Sequence, residues 1–171
     1  MKGYIHVYTG NGKGKTTAAL GLALRAVGAD YKVFIGQFAK GTWYSELDAV
    51  RMLSDHITLK QYGRGGFIRN KPSEVDVQQA QAGLEEMKQI IYSGEYQVVI
   101  MDEVNIAVHY QLITVDELLQ LMDNKAKSVE LVITGRYADQ RIVDRADLVT
   151  EMKDIKHYFQ QGVKARVGIE K

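Results

Sequence analysis

An α/β fold built on a mostly parallel central sheet of about six strands is what this 171-residue sequence predicts. Three observations predict it. Short apolar runs alternate with longer stretches of helical periodicity, the pattern of strands joined by crossover helices. The first run, Tyr4-Ile5-His6-Val7-Tyr8, empties into a glycine-rich turn and then a helix opening on Lys15-Thr16. A later run, Val98-Val99-Ile100-Met101, is apolar throughout, as a strand buried on both faces is, and ends in Asp102-Glu103.

Residues 3–8 form the first expected strand and residues 15–29 the first helix. That helix is apolar nearly all round, through Ala18, Ala19, Leu20, Leu22, Ala23 and Leu24, and is expected to be buried against the sheet. Gly28 and Asp30 suit its end. Further strands are expected at 32–38, 58–62, 97–102, 130–134 and 148–151, with a short helix at 45–54. Pro72-Ser73 opens a long helix over 73–93. It has capping spacing from Ser73 to Asp76 and a single apolar face of Val77, Ala80, Leu84, Met87 and Ile91. Thr114 and Glu117 cap another helix, which carries Leu118, Leu119 and Met122. Residues 63–72, rich in glycine and arginine, read as a functional loop. Residues 157–171 have no periodicity that places them. With no internal repeat and no boundary, residues 1–171 are expected to form one domain.

Composition narrows the function classes. A net charge of +1 points to neither nucleic acid nor acidic membranes as partners. No apolar run approaches the length that spans a bilayer, and no leader is visible before the first strand, so the cytoplasm is the expected compartment. With no cysteine the chain has no disulfide, thiolate metal site or thiol redox chemistry of its own. His6, His56, His109 and His157 show no metal-ligand spacing.

The turn Gly10-Asn11-Gly12-Lys13-Gly14-Lys15-Thr16-Thr17 has the layout of a phosphate-binding loop. Glycines let successive backbone N–H groups turn inward around phosphate oxygens, and the helix that follows points its positive end at the same spot. Lys15 is placed to reach the terminal phosphates and the Thr16 hydroxyl to join the shell of a Mg²⁺ ion. The strict motif has glycine where Thr9 stands here. Lys13 is a further phosphate candidate, or a solvated loop lysine.

Asp102 and Glu103 close a strand whose last side chains reach the ligand crevice, and either can orient the metal. A strand-end acid can also simply cap the next helix. Arg136, after Leu131-Val132-Ile133-Thr134-Gly135, and Lys40, after Gln37-Phe38, fall at the same sheet edge if their strands are parallel to the first. Each is a triphosphate candidate or a surface cation. Phe67, in Gly63-Arg64-Gly65-Gly66-Phe67-Ile68-Arg69, is a loop anchor or a contact for a large flat ligand.

Taken together these residues resemble the P-loop-type ATP:corrinoid adenosyltransferases, nearly end to end. The likeness is carried by residues 8–19, Gln37-Phe38, Lys40-Gly41-Thr42-Trp43, Met101-Asp102-Glu103 and Ile133-Thr134-Gly135-Arg136. It continues through residues 146–152, Lys156-His157, Gly162-Val163-Lys164-Ala165 and Gly168-Ile169-Glu170. Thr9 fits as well, because the family carries threonine there. The resemblance implies a RecA-like P-loop fold and transfer of the 5′-deoxyadenosyl group of ATP to Co(I) of a corrinoid, with release of intact triphosphate. It implies Mg²⁺ (or Mn²⁺), an external electron donor such as a flavoprotein, and a homodimer. It assigns Lys15 and Phe67 to catalysis, and Thr9, Gly10, Asn11, Gly12, Lys13, Gly14, Lys15, Thr16, Thr17, Lys40 and Arg136 to ATP. Thr16, Asp102 and Glu103 are assigned to the metal, and Phe67 and Arg69 to the corrinoid. Arg69 stands where other members carry tryptophan. A conventional P-loop ATPase or kinase, and a binding module without turnover, are the competing readings.

Overall fold

The computed structural model of the chain describes residues 2–64 and 72–171. Its strands are β1 (Ile5–Thr9), β2 (Val33–Phe38), β3 (Ile57–Tyr62), β4 (Val98–Asp102), β5 (Glu130–Thr134) and β6 (Leu148–Glu151). They form one six-stranded sheet in the order β3-β2-β4-β5-β1-β6, with every pairing parallel. β5 therefore lies between the strand that feeds the glycine-rich turn and the strand that ends in the two acids, which is the RecA-like order. The register places Gln61 opposite Gln37 and Gln37 opposite Asp102, so three polar side chains cross β3, β2 and β4 in one row.

The helices are α1 (Lys15–Val27), α2 (Ser45–Arg51), α3 (Glu74–Ser93), α4 (Val104–His109), α5 (Val115–Asn124) and α6 (Gln140–Arg145), followed by a 3₁₀ turn at Tyr158–Gln161. Two apolar layers enclose the sheet. Val98, Ile100 and Val132 pack with Ala19, Ala23 and Ala26 of α1 on one face. Val99, Met101, Leu131 and Ile133 pack with Leu84, Met87, Ile91, Leu118 and Leu121 on the other. The alternation within β4 explains why its sequence is apolar throughout.

Local chemistry sets the helix ends. Ser73 and Asp76 form a reciprocal capping box at α3, and Thr114 and Glu117 form another at α5. α3 ends on Gly94 in the left-handed region. α1 departs from the sequence expectation in two ways. It is not buried all round: its buried face is Lys15, Ala19, Ala23 and Ala26, while Leu24 is 61% exposed. Small alanines let the helix axis approach the sheet, which turns the leucines sideways and outward. At its end Asp30, at φ 62, takes the left-handed turn, whereas Gly28 remains right-handed. The sequence reading did not assign α4 or α6.

Candidate nucleotide site and adjoining cleft

Because every strand runs the same way, the carboxyl ends of β1, β2, β4 and β5 lie along one edge of the sheet. The glycine-rich turn leaves β1 and is braced from behind. Gly12 N–H donates to Met152 O at 2.7 Å and Met152 N–H to Thr9 O at 2.8 Å. A Cβ on Gly10, whose φ is +96, would lie 2.4 Å from Met152 O, so this position admits glycine alone. The Thr9 hydroxyl accepts from the Ala138 N–H at 3.4 Å.

Asp102 is the hub. It is 1% exposed, and four donors reach its carboxylate, two on each oxygen. Thr16 Oγ1 at 2.8 Å and Thr134 Oγ1 at 2.7 Å donate to Oδ1. Lys40 Nζ at 2.8 Å and Gln37 Nε2 at 3.2 Å donate to Oδ2. A buried carboxylate needs this degree of satisfaction. Burial works most strongly on the Lys40 ammonium and disfavours it, but the Asp102 charge and hydrogen bond, with Glu103 and Glu46, together outweigh burial and hold Lys40 above the usual lysine range.

Thr16 gives its proton to Asp102, so its oxygen lone pairs are left for a cation. Glu103 follows at φ 59, which turns its side chain out of the strand pattern. Burial, then repulsion from Asp102, raises the Glu103 carboxyl above the usual range, while Lys40, Lys15 and Arg136 oppose the shift. A hydroxyl and a carboxylate suit a hard cation that takes its remaining ligands from phosphate and water. Among the described residues no cluster of three or more His, Cys, Asp or Glu forms an all-protein metal cage.

Two clefts open on this edge. One, of about 640 Å³, is lined by Gly12–Thr17 on one side and by His157 and Gly168–Lys171 on the other. Lys15 lies on its floor, with Nζ donating to Gly10 O at 2.8 Å and Gly12 O at 2.6 Å. Burial lowers the Lys15 ammonium below the usual lysine range, with Glu103 opposing. Lys13 is exposed but not free: it donates to Ile169 O at 2.7 Å and pairs with Glu170 at 3.4 Å. Residues 157–171, which the sequence left unplaced, thus form the far wall of this cleft. They are held by polar contacts, with Ser45 Oγ donating to Lys171 O and accepting from the Gly168 N–H. Thr9, Gly10 and Asn11 stand behind the cleft and do not line it.

The second cleft, of about 520 Å³, is lined by Ala39, Gly41, Thr42, Ile106, Tyr110 and Tyr137. It shares Lys40, Tyr44, Glu103 and Arg136 with the first, so these four residues form the common wall. Ala39 (φ 53), Glu103 (φ 59) and Tyr137 (φ 61) hold left-handed backbone just past β2, β4 and β5. Such residues cost about 1–3 kcal/mol each and gather where a ligand site requires them. Tyr137 stacks on His109 with ring centroids 4.4 Å apart. Phe67 and Arg69, the residues expected at a corrinoid, lie outside the described residues. The sequence reading missed the aromatic lining; Tyr137, directly after Thr134-Gly135-Arg136, was the available signal.

This fold and site define a P-loop nucleotide-binding α/β protein of RecA-like order with a second cleft against the nucleotide cleft. The fold is also similar to that of the flagellar accessory protein FlaH from Methanocaldococcus jannaschii. That likeness has a TM-score of 0.62 at 13% identity and covers 88% of this chain and 71% of that one. Residues 1–170 match the family described as ATP:corrinoid adenosyltransferase BtuR/CobO/CobP. The chain belongs to that family. It is 36% identical over 170 residues to the corrinoid adenosyltransferase of Escherichia coli K12 and to CobA of Salmonella typhimurium LT2, covering 99% of this chain and 86% of each relative. The Pseudomonas aeruginosa corrinoid adenosyltransferase is 32% identical, at 99% and 84% coverage.

Proposed function

We propose that this chain transfers the 5′-deoxyadenosyl group of ATP to Co(I) of a corrinoid. The electron pair on cobalt forms the Co–C bond, the C5′–O bond breaks, and triphosphate leaves with that bonding pair. The observation that carries the reading is the common wall of Lys40, Tyr44, Glu103 and Arg136, which brings two clefts together where a nucleophile and a leaving group must meet.

In this reading the triphosphate lies along Gly12–Thr17, where backbone N–H groups, Lys15 and the cations Lys40 and Arg136 take up the charge that develops on the leaving group. Thr16 and Glu103 hold Mg²⁺ (or Mn²⁺), with Asp102 fixing the Thr16 hydroxyl; the ion supplies further neutralisation of the departing triphosphate. The corrinoid occupies the second cleft, an apolar and aromatic surface suited to a large flat ligand, with Phe67 and Arg69 as further contacts. Co(I) carries no proton, so no general base is required, and positioning in line with C5′ supplies much of the rate. The electron for Co(I) comes from an external donor such as a flavoprotein, and the working form is a homodimer. Among the described residues no helix is long and apolar enough to cross a membrane, in keeping with a cytoplasmic enzyme.

Anaerobic incubation with ATP, Mg²⁺ and chemically reduced cob(I)alamin tests the reading. A light-sensitive Co–C product with intact triphosphate is expected. ADP and phosphate without a Co–C bond would point to a conventional ATPase or kinase, and binding without any product to a carrier.

A further inference from the structure

We propose that Gln37 and Gln61 are positioning residues: a pair of amides that ties the wall of the second cleft to the acid of the nucleotide cleft, so that occupancy of either cleft sets the affinity of the other. This rests on the two-substrate reading above.

Gln37 is fully buried, one residue from the carboxyl end of β2, where every neighbour in the strand is apolar or glycine. An amide survives there only if both ends are satisfied. Its Nε2 donates to Asp102 Oδ2 at 3.2 Å, and its Oε1 accepts from Gln61 Nε2 at 3.0 Å. The same Gln61 nitrogen donates to Thr42 O at 3.1 Å. The direction of this chain is forced. A carboxylate only accepts, so Gln37 must turn its NH₂ to Asp102 and its oxygen to Gln61, and Gln61 must then donate twice.

Thr42 lines the second cleft, and Asp102 holds Thr16 in the nucleotide cleft. The loop after β2 is therefore bound to Asp102 twice, directly through Lys40 and indirectly through the two amides. It also has no slack against the backbone just past β3: a Cβ on Gly41 would lie 2.1 Å from Gly63 O. Neither glutamine lines either cleft. Their contribution must pass through Asp102 and Thr42, and any coupling they carry is reciprocal between the two ligands.

The test is the affinity for cob(II)alamin, measured anaerobically by titration with and without saturating ATP and Mg²⁺, in wild type, Gln61→Met and Gln37→Met. In wild type the two affinities are expected to differ by about 5- to 150-fold, and in Gln61→Met by less than about 2-fold, with ATP affinity alone held and the thermal midpoint somewhat lowered because the buried Gln37 Oε1 loses its donor. A Gln61→Met protein with the wild-type ratio, or a wild type with no ratio at all, overturns the relay. Gln61 is half-buried on an edge strand, so it carries the test even if Gln37→Met does not fold. A wild type that binds no cob(II)alamin and forms no Co–C product overturns the two-substrate reading itself, a result distinct from loss of coupling.

Discussion

Thr16 and Asp102 stand 86 residues apart in sequence, and their side chains meet at 2.8 Å. They belong to α1 and β4, and the strand between, β5, ends in Thr134, which donates to the same Asp102 oxygen at 2.7 Å. One buried carboxylate thus receives a hydroxyl from the nucleotide cleft and a hydroxyl from the sheet. The first is free to serve a cation as well; the second is enclosed, with Thr134 fully buried.

That difference separates two isosteric changes. Thr16→Val and Thr134→Val each remove one donor from Asp102, at about 1–3 kcal/mol for a buried acceptor losing a partner, and Thr134→Val should cost more because its hydroxyl also accepts from the Glu103 N–H at 3.0 Å. Only Thr16→Val also removes a ligand from the cleft, and it should lower kcat by about 10²–10³-fold with a raised Mg²⁺ requirement. Turnover against Mg²⁺ concentration for both proteins checks this. Equal losses of kcat would mean that Thr16 acts only as a structural donor.

Lys15 is the buried cation of the loop, held by two of the loop's own carbonyls. A triphosphate offers it charged acceptors, which make stronger bonds than neutral carbonyls do. Lys15→Ala should reduce Co–C bond formation by about 10²–10³-fold or more. Single-turnover measurement with cob(I)alamin checks the chemical step directly, and undiminished turnover would remove the loop from the reaction.

Much of this edge was legible in the sequence, and the reasons are local. The bounds of β5 and β6 and the capping boxes at Ser73 and Thr114 follow from patterns within a few residues. α4 escaped notice because it is six residues long and its N-cap, Glu103, makes no side-chain capping bond. α6 was readable in principle, since the Asp139 carboxylate caps it by accepting from the Arg141 N–H. The wall formed by residues 157–171 has no periodicity to read, because Lys13, Ser45 and the Arg166–Glu170 pair hold it rather than an apolar face. Lys40 was placed at the correct edge, but its partnership with Asp102 depends on strand order, which pattern alone does not encode.

Glu103 should trade stability for function. Its carboxyl is raised above the usual glutamate range, so the folded state resists ionising it. Any stability from the neutral form is fully present below the unfolded value and is lost as pH rises through the raised one. Glu103→Gln keeps the shape without the charge. In metal-free buffer its stability advantage over wild type should therefore be larger at pH 8 than at pH 4, while its turnover falls. Urea denaturation at the two pH values checks the sign; an advantage independent of pH would show that Glu103 ionises in the fold as easily as in water.

The long helix α3 meets the sheet through a glycine, and this gives a prediction in which two effects oppose. In an exposed helix interior, glycine to alanine stabilises by about 1 kcal/mol. At Gly83 the new methyl would lie 2.4 Å from Cγ of Tyr62. That ring has little room to yield: it packs against Phe38 with centroids 5.3 Å apart, and its hydroxyl donates to Glu86 at 3.0 Å, which in turn pairs with Lys60. Overpacking of this kind costs about 1–3 kcal/mol, which outweighs the propensity gain. Gly83→Ala should therefore lower the denaturation midpoint. The same change made in a Tyr62→Ala background should cost clearly less, because the Cγ and ring atoms of the clash are gone and only the Cβ, 2.8 Å from the new methyl, remains. A double-mutant cycle by chemical denaturation measures the difference, and a Gly83→Ala single variant more stable than wild type would mean that α3 does not approach β3 this closely.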